Sequence, residues 1–263
     1  MPHASADTVT SADGVTLAYE RSGRGPALVI VNGALSTRAT GAALVPLLDD
    51  DFTLYRYDRR GRGDSSDSGS STPQNEIEDL AAVVAVTGEA PFVFGQSSGA
   101  ALSLEAAAAG VPMRSLAVNE PPYVPGQGTA RETAGELAAL AADGRRDEAV
   151  ERFMQSTGMP EAMIEQTKAS PAWPGLLALA HTLAYDVRLL NEGAVPVQRL
   201  AAIACPVLGT AGGMSPAWAE ESVRAVAAAV PDGEWRVLEG QAHNVVPEVL
   251  AEVLRGRFVS ERR

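Results

Sequence analysis

The stretch "PALVIVNG" (26–33) is apolar without interruption and ends in glycine, which is how a strand buried on both faces reads. Runs of the same kind recur at "TLYRY" (53–57), "PFVFG" (91–95), "SLAVN" (115–119), "CPVLGT" (205–210) and "EWRVLEG" (234–240). A strand with two apolar faces needs cover on both sides. The sequence supplies it in helical stretches at 37–48, 75–87, 98–109, 216–230 and 245–258. Strand and helix in repeated alternation predict an α/β fold, a mostly parallel central sheet with helices packed on both faces. Only "VTLAYERSG" (15–23) alternates apolar with polar residues, and it reads as an antiparallel hairpin strand paired with "DTVTS" just before it. In the helix after "TLYRY", Pro73-Gln74-Asn75-Glu76 is a plausible cap, and Ile77, Leu80, Val83 and Val84 fall on one face.

One stretch departs from the rhythm. From 121 to 204 there is helical periodicity (129–142, 146–157, 160–168, 173–192) broken by prolines, and no convincing strand. An insertion at the C-terminal end of a strand sits over the edge where open α/β sheets bind ligands. The expected organisation is therefore a core of residues 1–120 and 205–263 carrying a helical lid, 121–204.

Composition narrows the partners. In a 263-residue chain, 21 basic residues against 33 acidic ones leave a net charge of −12, and the basic residues form no cluster. That argues against nucleic acid or an anionic membrane surface as partner. No apolar run reaches the roughly 18 residues of a spanning helix. "MPHASADTVTSADG" at the N-terminus has no charged region followed by an apolar one, so the expectation is a soluble, cytoplasmic protein. The single Cys205 excludes a disulfide framework within the chain and reads as a small core residue.

The chemistry centres on "FVFGQSSGAALSLEAAA" (92–108), where Gly95-Gln96-Ser97-Ser98-Gly99 is a G-x-S-x-G between an apolar strand and an alanine-rich helix. In that context the glycines allow a sharp strand-to-helix turn that holds a strained serine with its Oγ free at the helix N-terminus. Ser97 is the nucleophile candidate. Ser98 would contribute its backbone N–H and not its hydroxyl. The plain alternative is a Gly/Ser-rich turn with no chemistry.

On these residues the chain resembles the α/β-hydrolase superfamily over nearly its whole length. "VNGALS" (31–36) matches the family's loop after the third strand, with Asn32-Gly33 where His-Gly is commoner. The resemblance implies that the Ala34 and Ser98 amides form an oxyanion hole. "YDRRGRGDSS" (57–66) matches the family's D-x-R-G-x-G-x-S turn and reads as loop bracing rather than an anion site. "GQAHNVVPE" (240–248) matches the loop that supplies the catalytic histidine, and His243 takes that slot. His3 lies in the N-terminal tail and His181 in the lid.

The pattern fails where the family usually carries its aspartate, because Ser215 stands there. A second slot exists after the strand that follows the nucleophile's helix, and "LAVNEPPY" puts Glu120 in it. Some superfamily branches place their acid at this point, among them haloalkane dehalogenases. Zearalenone-type lactonases combine a G-x-S-S-G-A elbow with a Glu-Pro here, and this chain has both "GQSSGA" and "NEPP". A solvated loop carboxylate is the bland reading of Glu120. The expectation is a cofactor-free serine hydrolase with Ser97, His243 and Glu120 as its triad. It would cleave an apolar small-molecule carboxylic ester or lactone through an acyl-enzyme. A C–C bond hydrolase, a cyclase or oxygenase-like enzyme on the same fold, and a non-catalytic small-molecule receptor remain as alternatives.

Overall fold

The computed structural model describes residues 6–124 and 130–260; His3 lies outside them. The chain begins with strands β1 (Asp7–Thr10), β2 (Thr16–Gly23) and β3 (Ala27–Val31). A 3-10 turn and helix α1 (Val45–Leu48) lead to β4 (Thr53–Tyr57) and α2 (Pro73–Val86). There follow β5 (Phe92–Gln96), α3 (Ser98–Ala108) and β6 (Ser115–Asn119). Six helices come next: α4 (Ala130–Ala142), α5 (Arg146–Ser156), α6 (Glu161–Lys168), α7 (Trp173–Ala178), α8 (Leu183–Arg188) and α9 (Val197–Leu200). The chain closes with β7 (Val207–Gly212), α10 (Ala217–Ala229), β8 (Gly233–Leu238) and α11 (Pro247–Ser260).

The strands form one eight-stranded sheet in the order β1-β2-β4-β3-β5-β6-β7-β8. β2 runs antiparallel to both β1 and β4, and all other neighbours are parallel. The alternation of side chains in the continuous apolar strands explains why both faces are covered. Val29, Val31 and Val93 belong to a core cluster that includes Leu102 and Leu104 of α3. Leu28, Ile30, Phe92 and Phe94 belong to a second cluster that includes Leu254 and Phe258 of α11. Each such side chain, fully buried, contributes on the order of 1.5–3 kcal/mol.

Local chemistry sets the element ends. α2 begins two residues before its expected start. Thr72 is its N-cap, its side chain accepts the Asn75 N–H, and the Asn75 side chain returns the bond, with Pro73 in the first turn. α3 can lie against β3 only because its first turn is small: a Cβ on Gly99 would stand 2.2 Å from the Val31 carbonyl oxygen. Between β6 and β7 the described residues contain helices and turns and no strand. The single helix expected over 173–192 is broken into α7, a 3-10 turn and α8, and Asn191 and Glu192 carry positive φ.

The registry aligns the strand ends. Val31 is level with Gly95, Gln96 with Asn119, and Asn119 with Thr210. Since β3 leads outward to β4 on one side while β5 lies on the other, the loops after β3 and β5 diverge. This is the switch point of an open parallel sheet, where ligand crevices form.

Candidate active site

Ser97 occupies the turn between β5 and α3 with φ 55° and ψ −125°. A left-handed backbone at a residue with a Cβ costs about 1–3 kcal/mol and persists only where its surroundings enforce it. Three glycines permit it. A Cβ on Gly95 would meet the Gly99 oxygen at 2.7 Å, one on Gly99 would strike Val31, and one on Gly33 would touch the Ser97 Cβ at 2.9 Å. The Ser97 N–H is anchored on the Asn119 carbonyl at 2.9 Å. Ser98 opens α3, and Ala34 sits in the turn after β3. Among the described residues, no turn or loop hydrogen bond uses either of their N–H groups.

At the end of the neighbouring strand, Glu120 is also held with positive φ, 46°, and is fully buried. Its backbone N–H donates to the Thr210 carbonyl, and the Ser222 hydroxyl ties down the carbonyl of the following Pro121. The carboxylate is spoken for at both oxygens. Oε2 lies 2.5 Å from His243 Nδ1, while Oε1 accepts the Gly212 N–H at 2.8 Å and the Ser215 hydroxyl at 2.6 Å. Burial alone pushes this carboxyl up. The bonds from His243, Ser215 and Gly212 outweigh it and hold the group below the ordinary glutamate value. Ser215, standing where the family commonly has an acid, thus hydrogen-bonds to Glu120.

His243 is fixed from behind. Its carbonyl accepts bonds from the Gln96 and Asn119 side-chain amides at 3.1 and 3.2 Å. Its side chain remains 42% exposed, so the ring is reachable from the cavity it lines. With Nδ1 against a carboxylate, that nitrogen carries the proton and Nε2 is left to accept one. Among the described residues no hydrogen bond joins Ser97 Oγ to His243. Such contacts in ligand-free enzymes often close only when substrate is in place.

Ser97, Ser98, Ala34, Glu120, Ser215 and His243 all line one cavity of about 910 Å³. Its far wall comes from the helical stretch between β6 and β7, through Phe153, Met154, Met159 and Met163 of α5 and α6 and the loop joining them. Trp218 and Met214, from the β7–α10 region, also face it. The ionisable side chains among the described lining residues are Glu120, His243 and Asp186, and no Arg or Lys is among them.

The arginines of "YDRRGRGDSS" brace the site. Arg60 pairs with Asp79 and Asp13, and Arg59 with Glu76. Arg62 donates to the Gly33 carbonyl at 2.7 Å. Asp186, a residue of the inserted stretch, is also buried in this network. It meets Arg59 and Arg62 at 2.8 Å each and accepts the Ser98 hydroxyl at 2.7 Å. Burial pushes its carboxyl up, but the Arg62 and Arg59 guanidiniums and the Ser98 hydroxyl hold it below the ordinary aspartate value. The available signal was a lone carboxylate in the apolar run "LAYDVRLL". His181 is not among the described residues lining the cavity and lies 3.7 Å from Asp67.

Comparison with known proteins agrees with this architecture. The sequence is similar to an alpha/beta hydrolase from Sphaerobacter thermophilus DSM 20745, with 47% identity over 94% of this chain and 98% of that one and a TM-score of 0.89. An esterase from Rhodococcus sp. ECU1013 shares the fold, with a TM-score of 0.73 at 22% identity over 98% of this chain and 99% of that one. A pyrrolizixenacetamide deacetylase from Xenorhabdus hominickii is 37% identical over 98 residues, which span 35% of this chain and 36% of that relative. The pattern described as "Alpha/beta hydrolase family" matches residues 28–254. The chain belongs to the alpha/beta hydrolase family.

Proposed function

We propose that the chain is a serine hydrolase that cleaves a neutral, largely apolar carboxylic ester, open or cyclic, through an acyl-enzyme. The observation that carries this reading is the pairing of a strained Ser97 with a Glu120–His243 couple in the wall of one cavity. Ser97 Oγ attacks the acyl carbon while His243 Nε2 takes its proton. The Ala34 and Ser98 amides receive the charge that develops on the carbonyl oxygen. Glu120 stays ionised and stabilises the imidazolium, which then protonates the departing alcohol oxygen. Water, deprotonated by His243, attacks the acyl-enzyme, and Ser97 leaves with that proton.

The substrate class follows from the walls. Methionines, Phe153 and Trp218 favour apolar groups, and the absence of a cation among the described lining residues leaves a substrate carboxylate without a partner. The helices between β6 and β7 act as the lid that supplies this selectivity. A second reading, cleavage of an acetylated amine, is favoured by the partial match to a deacetylase.

The test is a panel of p-nitrophenyl esters of increasing acyl length, a hemisuccinate ester, simple and aryl lactones, and an N-acetyl arylamine. A fluorophosphonate should label Ser97 alone. Ser97→Ala should lose roughly 10³-fold or more of rate while staying folded. Undiminished turnover in that variant would end the reading. Faster turnover of the arylamide than of any ester would select deacetylation instead.

A further inference from the structure

We propose that Asp186 is a positioning residue for the oxyanion hole, holding both of its amides in place from the helical stretch above the site. The inference rests on the reading of the Ala34 and Ser98 amides as oxyanion donors. The two amides come from different loops, one after β3 and one at the head of α3, and need a common reference to converge on one oxygen. Asp186 supplies it.

One arm runs through Arg62. Asp186 Oδ2 accepts from one guanidinium nitrogen at 2.8 Å, and the other nitrogen donates to the Gly33 carbonyl at 2.7 Å. That carbonyl and the Ala34 N–H belong to the same planar peptide unit, so fixing the oxygen fixes the direction of the N–H. A cation on the carbonyl also polarises the unit and makes its N–H a better donor. The second arm is direct. Asp186 Oδ1 accepts the Ser98 hydroxyl at 2.7 Å, on the residue whose own N–H is the other donor. Arg59 closes the ring, 2.8 Å from the same Oδ1 and 3.4 Å from the Asn32 carbonyl.

A carboxylate that merely glued the inserted helices to the core would need the Arg59 pair alone. Here one of its other bonds reaches the Gly33–Ala34 peptide through Arg62, and another ends on Ser98 itself. Asp186 is only 1% exposed, so its charge acts in a medium where it is not screened by solvent. A displacement of either donor by about an ångström would cost on the order of 10²-fold in rate.

The experiment compares the full-length wild type with Asp186→Asn, Arg62→Lys and Ser98→Ala. The lysine keeps the charge but lacks the fork that reaches two acceptors at once. Ser98→Ala keeps the amide and removes only the hydroxyl link. kcat and KM for a p-nitrophenyl ester are measured beside the Ki of an aryl trifluoromethyl ketone, whose serine adduct carries an oxyanion. We expect kcat to fall roughly 10- to 100-fold in the first two variants and less in Ser98→Ala, as expected for donors misplaced rather than removed. KM should stay within about threefold, and the ketone should weaken by the same factor as kcat.

Folded variants with kcat near wild type, or a loss confined to KM with ketone affinity unmoved, overturn the inference and leave Asp186 as structural glue. If Asp186→Asn does not fold, Arg62→Lys and Ser98→Ala decide by the same criteria. A wild type that hydrolyses no substrate and takes no fluorophosphonate overturns the serine-hydrolase reading and this inference with it. An active wild type with unaffected variants overturns this inference alone.

Discussion

Replacing Glu120 by Gln removes one charge and almost no volume, and the hydrogen bonds around it dictate how the amide must sit. Oε1 accepts from both the Gly212 N–H and the Ser215 hydroxyl. In the variant that position must remain an oxygen, since an NH₂ there would face two donors. The amide nitrogen is thereby forced to the Oε2 position, 2.5 Å from His243 Nδ1 in the wild type. An NH₂ donates, so Nδ1 becomes the acceptor and the ring proton moves to Nε2, the nitrogen that must take the Ser97 proton. The substitution thus installs the wrong tautomer as well as removing the charge that stabilises the imidazolium. We expect a loss of roughly 10²- to 10⁴-fold in kcat. At 1.36 kcal/mol per decade this is about 2.7–5.4 kcal/mol of transition-state stabilisation. Steady-state hydrolysis of a p-nitrophenyl ester, with circular dichroism to show equal foldedness, checks it. Ser215→Ala leaves Glu120 charged and the Gly212 bond intact, and should cost far less. A folded Glu120→Gln within threefold of wild type, or a Ser215→Ala that is the more damaged, would refute the reasoning.

Three further outcomes follow from other parts of the structure. Gly99→Ala would set a Cβ against backbone oxygens of Val31 and Asn32 at 2.2 and 2.7 Å. It should cost at least the ~1–3 kcal/mol of ordinary overpacking and more than tenfold in rate as Ser97 shifts. Gly135→Ala in α4, with open space around its Cβ, should stabilise by roughly 0.5–1 kcal/mol, and urea melts distinguish the two. Asp186, held below the ordinary value, contributes stability that is fully present above an unfolded pKa of about 3.9 and is lost as pH falls through the depressed folded value. The melting-temperature gap between wild type and Asp186→Asn should therefore be widest near neutrality and shrink below pH 4. A gap constant from pH 7 to pH 3 contradicts the ionised-carboxylate account.

What the sequence made legible is the part of the structure written locally. The buried strands announced themselves because a parallel sheet covered on both faces imposes uninterrupted apolar runs such as Ala27–Val31. Ser97 was readable because its turn needs glycines within two residues on either side. Glu120 was readable as a carboxylate at a strand's end, although its bond to His243 spans 123 positions. Links with no local signature were not readable. Asp186 lies 88 residues from Ser98 and 124 from Arg62, and nothing in helical periodicity says which polar groups of the core will face an inserted helix. The same tertiary demand breaks the expected helix over 173–192: Thr182 and His181 form a 3-10 turn before α8, and α8 carries Asp186 onto the arginines. Local propensity gives no warning of that break.

The remaining puzzle is why position 215 should be a serine at all, and the geometry answers it with a testable consequence. Ser215 Oγ lies 2.6 Å from Oε1 of the fully buried Glu120. An aspartate in place of that serine would bring a second carboxylate into contact with the first, and two carboxylates sharing one site cannot both ionise cheaply. One would hold its proton to a raised pKa, so the folded state would bind more protons than the unfolded one. Stability contributed in that way is present at low pH and lost as pH rises. Ser215→Asp should therefore be destabilised at neutral pH, with the deficit shrinking toward pH 4. The serine instead donates a hydrogen bond and helps hold Glu120 ionised. If the two strand ends are alternative mounts for one acid, the double variant Glu120→Gln/Ser215→Asp should relieve the repulsion. It should also return part of the rate lost by Glu120→Gln alone, because the introduced aspartate can then place its charge near His243. Rate and melting temperature of the three variants decide. A double variant no faster than Glu120→Gln would mean that only the β6 mount, with its left-handed Glu120 backbone, can present a carboxylate to this histidine.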